Sequence, residues 1–398
     1  MEPLSVEQIR NFRLRSHHLD AACTKANIQE IVGACGMQNS PPGAWETALF
    51  NRIPTCTLSD MDCLLYKEKS LLQAWSFRGA PVIFPAEERD VFLSALKAED
   101  GEPWIYTQGI QLALDFLQMT YDEVFDRLRQ VLPRLEQYTL ISKTTLDQTL
   151  AEWMLPLIPT DKQERWNAPS MYGSPDKQTV GGAAVSFLLR PASFYGLIVF
   201  GERNGISPSF TAYSNWTGHP FHETDTAEDN GIRTLVRKFL HCYGPATLDS
   251  FVTWLGCSKQ QGRRMWDTIA EEMEPVTVLG KKSWLLSSDK ESILNPVPLK
   301  KELLLLGGHD PFLDQRDRLI LQPDKTRHKQ IWKLVSNPGA IVYRGEIIGV
   351  WTSRKKSRGI EINVDLWKEL SGNEQKKLQE LAEGYAEFRQ TALLSLIL

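Results

Sequence analysis

Apolar positions along the chain switch repeatedly between a helical period and a strand period, and the order of the switches recurs. Ala26–Ala34 reads as a short helix, and Ala44–Arg52 as a second, with Trp45, Ala48, Leu49 and Arg52 at helical spacing. Ser59 stands where a cap would open a third helix through about Lys67. The text SLLQAWSFRGAPVIFP follows, two short apolar runs around Arg78-Gly79, which is how a β-ribbon is written. Further on, GIRTLVRKFLHCYG places Leu235, Phe239 and Leu240 on one helix face and stops at Gly244. PATLDSFVTWLG enters a helix through Pro245 and Thr247 and ends at Gly256, and Ser258 caps SKQQGRRMWDTIAEEM. PVTVLGKKSWLLS then alternates as strand, Gly280-Lys281-Lys282 turn, strand. Helices joined by a Gly-containing turn and closed by a β-hairpin follow the plan of a winged helix.

Between these two copies, Trp104–Leu117, Tyr121–Leu132 and Thr145–Trp153 offer three more helices. A polar stretch from about Pro159 to Gly182 reads as a loop, and VSFLLRP and GLIVFGERNGISPSF as strand-like runs, so a less regular copy with an insertion is expected here. From about Pro296 the text changes to short β runs separated by Gly-containing turns, GAIVYRGEIIGVWTSRKKSRGIEINV, and closes with a helix from Gly372 to about Gln390. The expected fold is α+β: three tandem winged-helix modules at 1–100, 101–225 and 226–295, then a β-rich, barrel-like domain at 296–398.

A chain of 398 residues accommodates two to four domains, and 42% apolar with 24% charged residues is ordinary globular composition. No apolar run reaches the roughly 18 residues of a membrane span, and MEPLSVEQIRNFRLRS lacks the apolar core of a signal peptide, so a cytoplasmic, monomeric protein without membrane contact is expected. Cys23, Cys35, Cys56, Cys63, Cys242 and Cys257 form no Cys-x-x-Cys pair and read as free thiols. His17-His18 and His219-Pro-Phe-His222 each lack a third ligand at useful spacing; no metal and no cofactor are expected. The net charge of −4 gives no global attraction to nucleic acid, so any phosphate-binding surface must be local.

The blocks GMQNSPPGAWETALFNRI, LLQAWSFRGAPVIFPAEERDVF, RPASFYGLIVFGERNG, FLHCYGPATLDSFVTWLG, GHDPFLDQRDRLIL and VYRGEIIGVW occur in one order. In that order they resemble a bacterial winged-helix DNA-binding family whose members include glycosylases that excise N-alkylated purines and unhook interstrand crosslinks. The likeness runs from about Ile9 to about Phe388. It implies a catalytic Gln-x-Gln or Gln-x-Asp tripeptide before the second helix of the first module, where this chain has Gln38-Asn39-Ser40. Gln38 matches and Ser40 departs, being shorter than Gln. A second block, usually Arg-Gly-Thr-Leu-His, is here Arg78-Gly79-Ala80-Pro81-Val82, so Arg78 and Gly79 match while the Thr and His are absent.

The chemistry implied is cleavage of an N-glycosidic bond through an oxocarbenium-like transition state. A cationic N-alkylpurine is already a good leaving group, so a carboxamide that positions water suffices where it could not act as a general base. Gln38 and Ser40 are the candidate catalytic residues; Glu46 is the nearest carboxylate, with an ion pair to Arg52 as its alternative role. The candidate partner is double-stranded DNA. Arg78 would lie beside the catalytic channel, Arg263 and Arg264 on the recognition helix, Lys281 and Lys282 at the wing tip, and Arg354, Lys355, Lys356 and Arg358 in one turn between strands, each with a solvated loop as the alternative. The resemblance leaves two classes open: a DNA glycosylase with an altered site, or a non-catalytic damage binder or regulator on the same scaffold.

Overall fold

Ser5 opens the first helix, Val6–Ser16: its hydroxyl accepts from Gln8 N while the Gln8 side chain accepts from Ser5 N at 2.9 Å, a reciprocal cap written in the sequence as Ser-x-x-Gln. The computed structural model describes residues 2–398 apart from 174, 222–224, 315, 334 and 335, and for residues 2 and 225–228 the backbone alone. His222, weighed above as a metal ligand, lies outside the described residues. Helix accounts for 50% of the chain and strand for 19%, an α+β composition. No described helix is long and apolar enough to cross a membrane.

The chain divides into two compact units, both discontinuous in sequence. The first comprises Met1–Leu64, Leu235–Trp254 and Trp266–Leu398, the second Leu65–Thr234 and Leu255–Met265.

In the first unit, the apolar face of Val6–Ser16 (Ile9, Phe12) packs with Val276, Val278, Leu285 and Ile320. Strand Glu2–Leu4 runs parallel to Met273–Val278, which pairs antiparallel with Lys281–Leu286. The turn of that hairpin is Leu279-Gly280, both with positive φ, so Lys281 and Lys282 begin the second strand instead of forming the turn expected from the sequence. The C-terminal β runs form a five-stranded sheet: Leu303–Leu306, Gly339–Tyr343, Glu346–Lys356 and Gly359–Leu366 pair antiparallel in that order, and Leu393–Ile397 adds on in parallel. The sheet is open, with Leu303–Leu306 and Leu393–Ile397 as its edges, and this corrects the barrel-like expectation. The helix Gly372–Phe388 covers one face through Leu378, Ala382 and Ala386.

In the second unit, Leu71–Trp75 and Pro81–Pro85 form the ribbon expected around Arg78-Gly79. Helices Tyr121–Val131 and Lys143–Met154 lie close to their expected positions, whereas the helix expected from Trp104 begins only at Gln111 and ends at Leu117. The stretch read as loop and strand is different: Val180–Phe194 is a helix, capped by Thr179 and buried on nearly every face. Burial all round erases the polar stripe that would have marked it as a helix. Gly181 is obligatory there, since a Cβ would sit 2.2 Å from the Trp166 ring. Val199–Asn204 and Ser207–Thr211 form a hairpin from the second strand-like run, turning at Gly205.

Phe251–Glu272 contains two helices, Leu248–Leu255 and Lys259–Asp267, joined by a turn through Gly256. The helix expected from Ser59, Leu58–Asp62, is capped by Thr57 and not Ser59, with Asp60 accepting in return, and it continues through a wider turn to Lys67.

Candidate functional site

Gln38 sits just ahead of the helix Ala44–Arg52. Asn39 fixes the intervening segment: its side-chain oxygen accepts from Gly43 N at 2.8 Å, and Gly43, in a left-handed conformation (φ 88), makes the turn into the helix. Gln38 Nε2 donates to the Ser40 carbonyl at 2.9 Å and lies 3.3 Å from His309 Nδ1. Ser40 therefore meets Gln38 through its backbone; its side chain is exposed.

His309 is held by the residue after it. Asp310, fully buried, forms a two-pronged ion pair with Arg52 at 2.8 and 3.0 Å, and its Oδ1 also accepts from Phe312 N. Two further Arg52 hydrogens go to the carbonyls of His17 and Ala48, both at 2.7 Å. Arg52 at the end of one helix thus anchors the loop that carries His309 toward Gln38 at the other. Glu46 was the nearest carboxylate to Gln38 in the sequence, with an ion pair to Arg52 as its alternative role. It pairs instead with Arg389, whose guanidinium also donates to Thr47 Oγ1 at 2.7 Å and the Gly43 carbonyl at 3.1 Å. Gly43, Thr47, His309, Trp351 and Arg389 help line a cavity of about 330 Å³. His309, Asp310 and Arg389 were not singled out from the sequence. The only signal was that His309 and Asp310 lie within the block GHDPFLDQRDRLIL.

The basic candidates are placed as follows. Arg78 has φ 55, its guanidinium lies 5.0 Å from the Phe77 ring centroid, and its backbone packs so tightly on Gly256 that a Cβ there would approach Arg78 Cα to 2.9 Å. Arg263 is exposed on its helix. Arg264 is committed: it makes a bidentate pair with buried Glu102 at 3.0 and 2.8 Å and a further contact with Glu99 at 3.1 Å. Lys281 and Lys282 are exposed at the start of their strand, Lys282 lying 4.5 Å from the Trp284 ring centroid. Arg354, Lys355 and Lys356 are the end of a strand and not a turn; the reversal is Ser357-Arg358. Strand alternation sends Lys355 to the face opposite Arg354 and Lys356, and Lys356 pairs with Glu361 at 3.0 Å. Trp45, Trp254 and Trp266 are buried in the core.

Compared with known proteins, residues 31–388 match the family model described as "DNA glycosylase AlkZ-like". The interstrand DNA cross-link repair glycosylase of Streptomyces sahachiroi is 23% identical over 364 residues, covering 87% of each protein. The solved structure of Streptomyces sahachiroi DNA glycosylase AlkZ superposes with a TM-score of 0.76 at 19% identity, over 100% of this chain and 99% of that one.

Proposed function

The chain belongs to the AlkZ-like DNA glycosylase family, and on that premise we propose that it hydrolyses the N-glycosidic bond of cationic or bulky N-alkylated purines in duplex DNA. The observation that carries this reading is the Gln38–His309 pair beside an open cavity. Gln38 Nε2 is committed to the Ser40 carbonyl and to His309 Nδ1, which leaves Oε1 as the atom that accepts from an attacking water. With Nδ1 accepting, the His309 ring carries its hydrogen on Nε2. It is then a positioning residue that fixes the amide, not a base. A site that orients water without a strong base suits a leaving group that departs already charged and needs no acid. Interstrand crosslinks, which the Streptomyces relative is named for, are the bulky extreme of the same substrate class.

In this reading the runs of helices closed by a hairpin serve as winged-helix modules at 1–100, 101–225 and 226–295. Phosphate contacts come from Arg78, Arg263, Lys281, Lys282, Arg354 and Lys355, while Arg264 and Lys356 are engaged with carboxylates. The short, exposed Ser40 favours a narrower activity than a second Gln would give.

The test is release of N7-alkylguanine from alkylated duplex DNA, with binding to the same DNA measured in parallel. Gln38→Ala is expected to lower release by roughly 10²-fold or more with binding retained, the scale of a lost group that positions a reactant. Ser40→Gln is expected to raise it. If Gln38→Ala changes nothing, and Ser40→Gln binds alkylated DNA normally yet frees no base, the chain is a DNA-binding protein on a glycosylase scaffold.

A further inference from the structure

Three side chains that the sequence set far apart meet in the interior of the first unit. His17 follows the helix Val6–Ser16, Cys35 follows Ile28–Gly33, and Cys242 lies in the last turn of Asp225–Tyr243. All three are buried, and His17 Nδ1, Cys35 Sγ and Cys242 Sγ lie within 4.8 Å of one another. None belongs to the arrangement around Gln38. Two cysteines separated by about two hundred residues give no spacing motif, and for that reason the thiols read as free and the His17-His18 pair as lacking a third ligand.

We propose that His17, Cys35 and Cys242 form a binding site for a divalent soft cation, zinc above all. The donor set is the first argument. Two thiolates and an imidazole are what zinc takes, and the geometry it requires is already approached. Bonds of about 2.3 Å to sulfur and 2.0–2.1 Å to nitrogen, at a tetrahedral angle, put an S and an N ligand about 3.6 Å apart. Cys35 Sγ and His17 Nδ1 are 3.9 Å apart. Small side-chain rotations close the difference.

The second argument is the orientation of the imidazole. His17 Nε2 lies 3.1 Å from the Cys242 carbonyl, an oxygen that can only accept, so Nε2 bears the hydrogen and Nδ1 turns its lone pair toward the sulfurs. A backbone carbonyl holding the far nitrogen is the usual support of a metal-bound histidine. Edge-on contacts with the Tyr243 and Phe312 rings, at 5.1 and 5.6 Å, fix the ring plane.

Charge selects the cation. The surroundings are dry, and a net charge there is costly unless paired. Two thiolates with a divalent ion sum to zero; a monovalent ion would leave an unmatched negative charge. The Tyr243 hydroxyl, 3.6 Å from Cys35 Sγ, and the Ala34 carbonyl, 3.5 Å from Cys242 Sγ, are within reach as a fourth oxygen donor. A disulfide, needing sulfurs about 2.05 Å apart, would leave the oriented His17 without a purpose.

The consequence is structural. The ion would tie together the ends of three helices, and the His17 carbonyl it adjoins accepts from Arg52, the residue whose pair with Asp310 places His309. The proposal stands apart from the glycosylase reading, since metal content is measured without DNA.

The experiment uses the full chain purified without chelator from zinc-supplemented culture. Elemental analysis is expected to find equimolar zinc in wild type and in Cys63→Ser, and its loss in Cys35→Ser and in Cys242→Ser. In case those variants do not fold, the wild type provides its own second measurement. Stripped of metal under reducing conditions and titrated with Co²⁺, it should develop sulfur-to-cobalt charge-transfer bands and the strong visible bands of a tetrahedral ion, saturating at one equivalent. Folded wild type that holds no zinc and gives no such bands would overturn the proposal. So would an intact mass, measured without reductant, that lacks two hydrogens and regains them on reduction, since the cysteines would then form a disulfide.

Discussion

Replacing Asp310 by Ala tests the central claim about how the site is assembled. The substitution leaves the Arg52 guanidinium, only 2% exposed, without its counter-charge. Its hydrogen bonds to the His17 and Ala48 carbonyls survive, but neither oxygen carries a full charge. Removing one partner of a buried pair costs about 3–5 kcal/mol, a large share of the roughly 5–15 kcal/mol that holds a domain folded. At about 2–4 °C per kcal/mol for a unit of this size, the melting temperature of that unit should drop by roughly 6–20 °C. The double variant Arg52→Met/Asp310→Leu removes both charges and should recover part of the loss, with a coupling of about 0.5–3 kcal/mol in the double-mutant cycle. Urea unfolding followed by tryptophan fluorescence and by circular dichroism reads both quantities. If Asp310→Ala costs less than about 1 kcal/mol, or if the double variant is as unstable as the two singles added together, the pair does not anchor the loop. The placement of His309 would then need another explanation.

Two further outcomes follow from packing and charge. Gly181→Ala should destabilise the second unit by about 1–3 kcal/mol, because the new methyl meets the Trp166 ring inside a filled core; a neutral effect in thermal denaturation would mean that the Val180–Phe194 helix is less tightly packed than described. Duplex affinity should fall steeply with salt, and Lys281→Ala/Lys282→Ala should flatten the plot of log affinity against log salt by about 0.9 for each phosphate no longer neutralised; an unchanged slope would remove those lysines from the DNA surface.

The parts of the fold that were legible in the sequence are those where burial is one-sided. Tyr121–Val131 announces itself by an apolar stripe on a charged background, with Thr120 and Glu123 as its cap. Val180–Phe194 has no such contrast, because both its faces lie in the core, and Pro191 near its end adds a breaker signal that the tertiary packing overrides. The N-terminal helix is easily missed although Ser5 and Gln8 spell its cap, since a short segment at the start of a chain reads first as a targeting signal. Gln38 was legible through resemblance to a family block. His309 and Cys242 were not, for one physical reason: each acquires its role from partners over two hundred residues away in the chain, and no local period records such a meeting.

The interleaving of the two units has a consequence during synthesis. Arg13 and Asp317, whose charges meet at 2.8 and 2.9 Å, stand 304 positions apart, and Leu14 and Leu19 share a cluster with Leu304, Leu306 and Phe312. At a ribosomal pace of about 5–20 residues per second, the N-terminal helix waits roughly 15–60 s for the strands that cover it. Throughout that interval its apolar face is open to whatever else binds greasy helices in a crowded cell. The second unit's long central stretch emerges in the meantime with nearly all of its own core, so the nascent chain passes through a stage with a folded middle and an unsheltered start. Chaperone dependence, and sensitivity to translation speed downstream of residue 234, should therefore concentrate on the first sixty-four residues.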